Sequence, residues 1–311
     1  MKQEGMNRYD VIIIGGGPAG LTAGLYTSRA RLKTLLIESG VFGGQMTTTD
    51  LVENYPGFPD GISGSELGRL MEEQAKRFGL ESLQDEVVEV RLEGETKKVL
   101  TQEGVYLSRA LIICTGTEYR KLGVPGEEEY RGRGVSYCAT CDGPFFQDGK
   151  VIVVGGGDSA LTEALFLTKF VRELYIVHRR EALRATKIYQ ERAEANPKIK
   201  FIWNSVVQAI KGDSIVRLVT VKNVKTGETR EIEADGVFLF IGLVPRTQFL
   251  KGLVSLDENG YILTNENCET SVRGIFAAGD CRKKLLRQIS TSVGDGATAA
   301  FAAEKYLEEV K

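Results

Sequence analysis

The chain has 311 residues, 42% hydrophobic and 26% charged, with a net charge of −2, and reads as a soluble globular protein of about two domains. It offers no basic stripe for nucleic acid and no apolar run near the ~20 residues that span a bilayer. Its start, MKQEGMNRYD, lacks a secretory pattern. Five cysteines, an odd number spread widely, argue against a secreted disulfide framework and for a reducing, cytoplasmic setting.

Asp10 to Ile14 (DVIII) is an apolar run rich in β-branched residues, which reads as a buried parallel strand. Gly15-Gly16-Gly17-Pro18-Ala19-Gly20 follows directly, then a helical pattern from Leu21 to Arg29, then the run Thr34 to Ile37 ending on Glu38. Strand, GxGxxG, helix, strand and terminal acid form the dinucleotide fingerprint in the context it requires. Gly15 permits the tight turn, Gly17 lets a pyrophosphate approach the backbone, and Gly20 lets helix and strand pack closely. The pyrophosphate faces the positive end of the helix, and Glu38 accepts from a ribose diol.

Further on, Glu86 to Thr101 alternates in β fashion around Glu93-Gly94. Ala110 to Gly116 (ALIICTG) is an apolar strand with a small-residue turn, and the loop Thr117 to Gly126 behind it marks the exit from the first domain. Then comes Tyr137 to Gly143 (YCATCDG), which fits half of a metal site, a structural disulfide or a dithiol that carries electrons. The spacing does not choose among these, although a zinc site would need two more ligands. With His178 the only histidine and no second CxxC, the supply is poor.

An offset of 140 residues carries the first fingerprint onto a second one without a gap. Val11 to Ile14 becomes Val151 to Val154, and Gly15, Gly17 and Gly20 become Gly155, Gly157 and Ala160. Leu35 to Ile37 becomes Tyr175 to Val177, and Glu38 becomes His178. The second unit thus lacks the ribose-binding acid and carries Arg179 and Arg180 instead, with Arg184 one helical turn beyond. An acid there repels a 2′-phosphate, whereas guanidinium groups bind one through paired, charge-assisted hydrogen bonds. One unit therefore suits a dinucleotide with a free ribose and the other suits NADPH. His178, beside these arginines, is expected to contact cofactor or simply to pack, and a His-based triad is excluded.

Val216 to Glu233 alternates in β fashion around Thr226-Gly227. Gly236 to Gly242 (GVFLFIG) is an apolar strand, and Leu243 to Arg246 is the expected return to the first domain. Gly274 to Asp280 (GIFAAGD) and a helical pattern from Gly294 to Glu309 complete that domain. The expected fold is α/β, with two Rossmann-like, three-layer β/β/α nucleotide-binding domains. Residues 118–245 form the NADPH domain, inserted in a discontinuous first domain of residues 1–117 and 246–311.

Taken together, GGGPAG at Gly15, GGQ at Gly43, NYPGF at Asn54, CATCDG at Cys138, GGGDSA at Gly155, HRR at His178, GIFAAGD at Gly274 and Arg287-Gln288 stand in a specific order. From about Tyr9 onward the chain resembles the low-molecular-weight, bacterial-type thioredoxin reductases. The resemblance implies FAD in the first unit, bound by Gly15, Gly17, Pro18, Ala19, Gly20, Glu38, Gly44, Thr115, Gly116 and Gly279. Asp280 would hold the ribitol, Gln45 and Asn54 would lie near the isoalloxazine, and Arg287, Gln288 and Ala297 would line the flavin. It implies NADPH on Gly155, Gly157, Asp158, Ser159, Ala160, His178, Arg179, Arg180 and Arg184, and a homodimer.

By the same resemblance, electrons pass from NADPH to FAD, then to a Cys138–Cys141 disulfide, then to thioredoxin or a thioredoxin-like protein disulfide. Cys138 attacks the partner, Cys141 lies toward the flavin, and Asp142 is the candidate general acid, though Asp142-Gly143 is also a turn pair. Because dithiol and NADPH fingerprint share one domain, that domain is expected to swivel on its crossings near Thr117 and Leu243. A ferredoxin–NADP reductase of similar architecture would lack the dithiol. A reductase serving a peroxiredoxin would carry a further N-terminal disulfide domain, and one for another thioredoxin- or glutaredoxin-like protein would share every motif. Cys114, Cys268 and Cys281 are expected to be structural.

Overall fold

The computed structural model describes residues 7–310. The chain divides into two compact units, one running to Glu118 and resuming at Val244, the other spanning Tyr119–Leu243.

The first unit opens with β1 (Asn7–Ile14), α1 (Pro18–Arg29) and β2 (Thr34–Glu38). Next come α2 (Gly64–Lys76), β3 (Glu81–Gln84), β4 (Val87–Glu93), β5 (Thr96–Thr101), β6 (Val105–Ile113) and the short β7 (Thr117–Tyr119). Helix α2, unassigned from the sequence alone, is capped by Ser63, whose hydroxyl accepts the Glu66 N–H at 3.2 Å, and carries Leu67, Leu70, Met71 and Ala75 at helical spacing.

The second unit contains β8 (Val135–Ser136), the one-turn helix α3 (Ala139–Asp142), β9 (Lys150–Gly155), α4 (Asp158–Leu167) and β10 (Glu173–Val177). It continues through α5 (Lys187–Glu194), β11 (Ile199–Ile202), β12 (Ser205–Gly212), β13 (Val216–Asn223), β14 (Thr229–Glu233) and β15 (Gly236–Phe240). The chain returns through β16 (Leu243–Pro245) and ends with β17 (Ile275–Ala277) and α6 (Ile289–Glu309). The exit is therefore not a plain loop: β7 and β16 pair as a two-stranded ribbon.

In the first unit the strand order is β3-β2-β1-β6-β5-β4, parallel up to β6 and antiparallel beyond it. Strand β6 changes neighbour along one edge. Its first half pairs with β5 through Ser108, and its second half pairs with β17 from Leu111. The second unit has a parallel sheet, β11-β10-β9-β15-β8, and a separate antiparallel sheet, β12-β13-β14. The repeat seen in the sequence is kept in the register: Ile14 pairs with Ile37 and Val154 with Val177.

Alternation along the central strands builds the layers, because successive side chains point to opposite faces. Val151 and Val153 pack on Ala160, Leu161, Ala164 and Leu167 of α4, while Ile152 and Val154 pack on Val207, Val219 and Val221 of the antiparallel sheet. In the first unit Val11 and Ile13 face the helices, and Ile12 and Ile14 face Val90 and Val99. Each aliphatic side chain taken fully out of water contributes about 1.5–3 kcal/mol, so strands covered on both faces dominate the core.

Helix α6 begins five residues before the expected Gly294. Gln288 caps it: its side chain accepts from the backbone at Thr291, and the Thr291 hydroxyl accepts the Gln288 N–H at 3.1 Å. The Ser, Thr and β-branched residues of Ile289 to Val293 have low helix propensity, which hides this opening stretch in the sequence. Gly296 is needed within the helix because a Cβ there would stand 2.2 Å from the Ala19 carbonyl oxygen of α1. Among the described residues no helix is long and apolar enough to cross a membrane.

Candidate active site

The two fingerprints adopt matching local geometry. Gly15 and Gly155 take left-handed φ values of 107° and 149°, which a side chain would strain, and a Cβ on Gly15 would also meet the Cys114 carbonyl oxygen at 2.3 Å. At Gly20 a Cβ would collide with the Gly15 carbonyl oxygen, so helix and strand can approach this closely only with glycine there. Gly17 and Gly157 differ from these. Each is an N-cap in extended conformation, and a Cβ on either would meet nothing within 4 Å. Open space against the first N–H groups of a helix is the cradle that a pyrophosphate needs. Pro18 sits at the first helical position, where its missing N–H costs nothing.

Glu38 ends β2, as its sequence position requires. Its carboxylate accepts the Gly16 N–H at 2.6 Å and the Gly40 N–H at 2.7 Å, which aims it across the end of the sheet. There it lines a cavity of about 440 Å³ with Gly15, Asp85, Thr115, Glu118 and Arg246. This cavity lies outside the carboxyl ends of β1 and β2, the place where open α/β sheets bind ligands.

The remaining first-unit residues converge from distant parts of the chain. The Gln45 amide donates to the Thr117 carbonyl and to its hydroxyl at 3.1 Å, and Asn54 donates to Gln288 at 3.0 Å. A Cβ on Gly44 would lie 3.1 Å from the Gly17 Cα, so the turn after β2 closes over the glycine loop. Asp280 accepts the Ser292 hydroxyl at 3.2 Å and pairs with Lys284 at 3.5 Å, and Asp295 holds Lys284, Arg282 and the Gly279 N–H. Arg287 donates to the Asp280 carbonyl and lies over the Tyr261 ring at 4.0 Å. Gly116 follows β6 with open space around its α-carbon, and Ala297 is half-buried on α6.

In the second unit Arg179, Arg180 and Arg184 are exposed, and among the described residues no acidic side chain pairs with them. The loop carrying them is tied to the fingerprint. The Arg184 N–H donates to the Gly156 carbonyl at 2.8 Å, and Asp158 accepts the Thr186 N–H at 2.5 Å. Ser159 is exposed on the first turn of α4. His178 packs within the second unit. It is 4% exposed, its ring packs beneath Gly156, where a Cβ would meet Nδ1 at 2.4 Å, and Nε2 meets the Ala182 carbonyl at 3.1 Å. Burial and the three neighbouring arginines push its pKa down and keep the ring neutral.

Cys138 and Cys141 form a disulfide with Cα atoms 5.4 Å apart. Cys138 caps α3, and its sulfur accepts the Cys141 N–H at 3.1 Å. Cys141 is the more exposed of the pair, Asp142 is half-buried, and Phe145 just beyond is 82% exposed. Sequence reasoning missed the residues that hold this motif. The Tyr137 hydroxyl donates to Glu127 at 2.6 Å, and Glu127 also accepts the N–H groups of Leu122 and Gly123 at 2.7 and 2.5 Å. Tyr119 of β7 stacks on Tyr137 at 6.2 Å. From α4, Glu163 accepts the Ala139 N–H at 3.2 Å. These acids lie far from any local pattern, so only the fold brings them to the cysteines.

A family model described as pyridine nucleotide-disulphide oxidoreductase matches residues 9–296, covering both fingerprints and the disulfide between them. The chain belongs to the pyridine nucleotide-disulphide oxidoreductase family. Like others of this family it is a flavoprotein disulfide reductase. It is 50% identical over 97% of its length to a thioredoxin reductase of Peptoclostridium acidaminophilum, of which 98% is covered. It is 52% identical, over 97% of its length and 96% of the relative's, to that of Bacillus subtilis. A crystal structure of the Lactococcus lactis thioredoxin reductase matches with a TM-score of 0.95 and 49% identity, covering 97% of this chain and 99% of that one. The resemblance read from the motifs is borne out.

Three further thiols of this oxidoreductase take no part in the disulfide. Cys114, Cys268 and Cys281 are buried, and burial pushes the Cys114 thiol well above its ordinary range and the other two up to about 11. They stay protonated and unreactive near neutral pH. Among the described residues no group of three or more acidic, cysteine and histidine side chains is arranged to hold a metal ion.

Proposed function

We propose that this oxidoreductase is an NADPH-dependent thioredoxin reductase, with FAD held by the first unit and NADPH by the second. One observation carries the reading: the Cys138–Cys141 disulfide shares the unit Tyr119–Leu243 with a fingerprint tagged by three exposed arginines. Bound FAD supplies the two-electron relay between a hydride donor and a disulfide. The residues present fit both nucleotides. Gly17 and Gly157 leave open space at helix N-termini, Glu38 stands ready for a ribose diol, and Arg179, Arg180 and Arg184 for a 2′-phosphate.

In the outgoing half-reaction the Cys138 thiolate attacks the partner's disulfide, forms a mixed disulfide and releases one partner thiolate. The Cys141 thiolate then attacks the Cys138 sulfur and releases the second, restoring the Cys138–Cys141 bond. Asp142, next in the chain, is the proposed proton donor to a departing thiolate. Exposed Phe145 supports docking of a protein rather than a small disulfide. The partner is thioredoxin or a thioredoxin-like protein, and the enzyme works as a cytoplasmic homodimer. The unit Tyr119–Leu243 swivels on the β7–β16 ribbon so that dithiol and nicotinamide use one flavin in turn. A crosslink between the units should stop turnover with FAD retained, and undiminished turnover would sink the swivel.

The test of function is NADPH oxidation coupled to a thioredoxin disulfide. The parent enzyme should turn over, whereas Cys138→Ser and Cys141→Ser should still be reduced by NADPH but pass nothing on. Turnover surviving in either variant would refute the proposed dithiol.

A further inference from the structure

Helix α4 serves two sites at once. Its first turn follows the second glycine loop, and its next turn presents Glu163, whose carboxylate accepts the Ala139 N–H at 3.2 Å. Ala139 is fully buried and lies between the two redox cysteines. At the start of α3 the Cys141 N–H donates to the Cys138 sulfur, while that of Ala139 is taken by an anion. An N–H that points at sulfur favours the thiolate, and a carboxylate beside the motif opposes it.

We propose that Glu163 is a positioning residue for the dithiol. It fastens the cysteine loop to α4 and, by its charge, holds the thiols of the reduced enzyme less acidic than the start of a helix alone would make them. This rests on the reading that Cys138 and Cys141 are the working dithiol. Within their own unit Asp142 follows Cys141 directly in the chain, Glu163 reaches the loop from α4, and Tyr137 directly precedes Cys138. Tyr137 has Glu127 at its hydroxyl and Arg131 5.7 Å from its ring.

The experiment measures the pH dependence of iodoacetamide alkylation in dithiothreitol-reduced holoenzyme, scored by mass spectrometry on the peptide holding Cys138 and Cys141. No flavin turnover is involved, so loss of reductase activity would challenge the proposed function and leave this measurement standing. Glu163→Gln keeps an oxygen for the Ala139 N–H and removes the charge. Its alkylation profile should move to lower pH by about one unit, with the rate at a fixed acidic pH rising about tenfold. Glu163→Asp keeps the charge and should keep the parent's profile. A Glu163→Gln profile superimposable on the parent's overturns the proposal. Should Glu163→Gln fail to fold, Glu163→Ala is read against the same criterion.

Discussion

Replacing Tyr137 by phenylalanine deletes one hydroxyl and leaves the ring that stacks on Tyr119 in place. That hydroxyl donates to Glu127, which is only 2% exposed. Burial alone would push the Glu127 carboxyl up. The Tyr137 hydroxyl and the N–H groups of Leu122, Gly123 and Val124 outweigh it and hold the carboxyl below its usual range. A carboxyl depressed in the folded state stabilises the fold above its unfolded pKa, and that contribution fades as pH falls through the folded pKa. A hydrogen bond to a charged group is worth about 1.5–3 kcal/mol. At about 4 °C per kcal/mol for a unit of this size, Tyr137→Phe should lower Tm by about 6 °C or more near neutral pH. The deficit should shrink at an acidic pH below the ordinary glutamate range, where Glu127 takes up a proton in the folded state. Differential scanning calorimetry of the flavin-loaded protein at both pH values is the assay. An equal deficit at the two values, or none at neutral pH, would refute the reasoning.

Two other outcomes follow from the geometry. Arg179→Ala removes a guanidinium proposed for the 2′-phosphate, so kcat/KM for NADPH should fall about 10- to 100-fold, as expected for about 1.5–3 kcal/mol, while that for NADH holds. Equal loss for both nucleotides would contradict phosphate recognition. Lys97, buried, donates to the carbonyls of Glu95 and Arg109 and to the Tyr306 hydroxyl at 2.9, 2.8 and 3.1 Å. Lys97→Met strands those carbonyls and should cost about 2–4 kcal/mol, read as a lower urea midpoint. An unchanged midpoint would show that they find other donors.

What the sequence by itself determined is local and periodic. A glycine at position 15 or 155, an extended N-cap two residues on, and alternating β-branched strands each follow from sterics over a few residues. They therefore repeat at a fixed offset and can be read without the fold, as can the exchange of Glu38 for His178 and the arginines behind it. The tertiary structure alone decided the contacts that span the chain. Asn54 meets Gln288, Gln45 meets Thr117, and Glu127 and Glu163 reach the redox loop from outside it. It also decided where α6 starts, since Gln288 and Thr291 cap an opening stretch, Ile289 to Val293, whose residues have low helix propensity. A hydrogen bond between residues distant in sequence leaves no periodic trace, because the chain between them closes the distance only after the sheets and helices have packed.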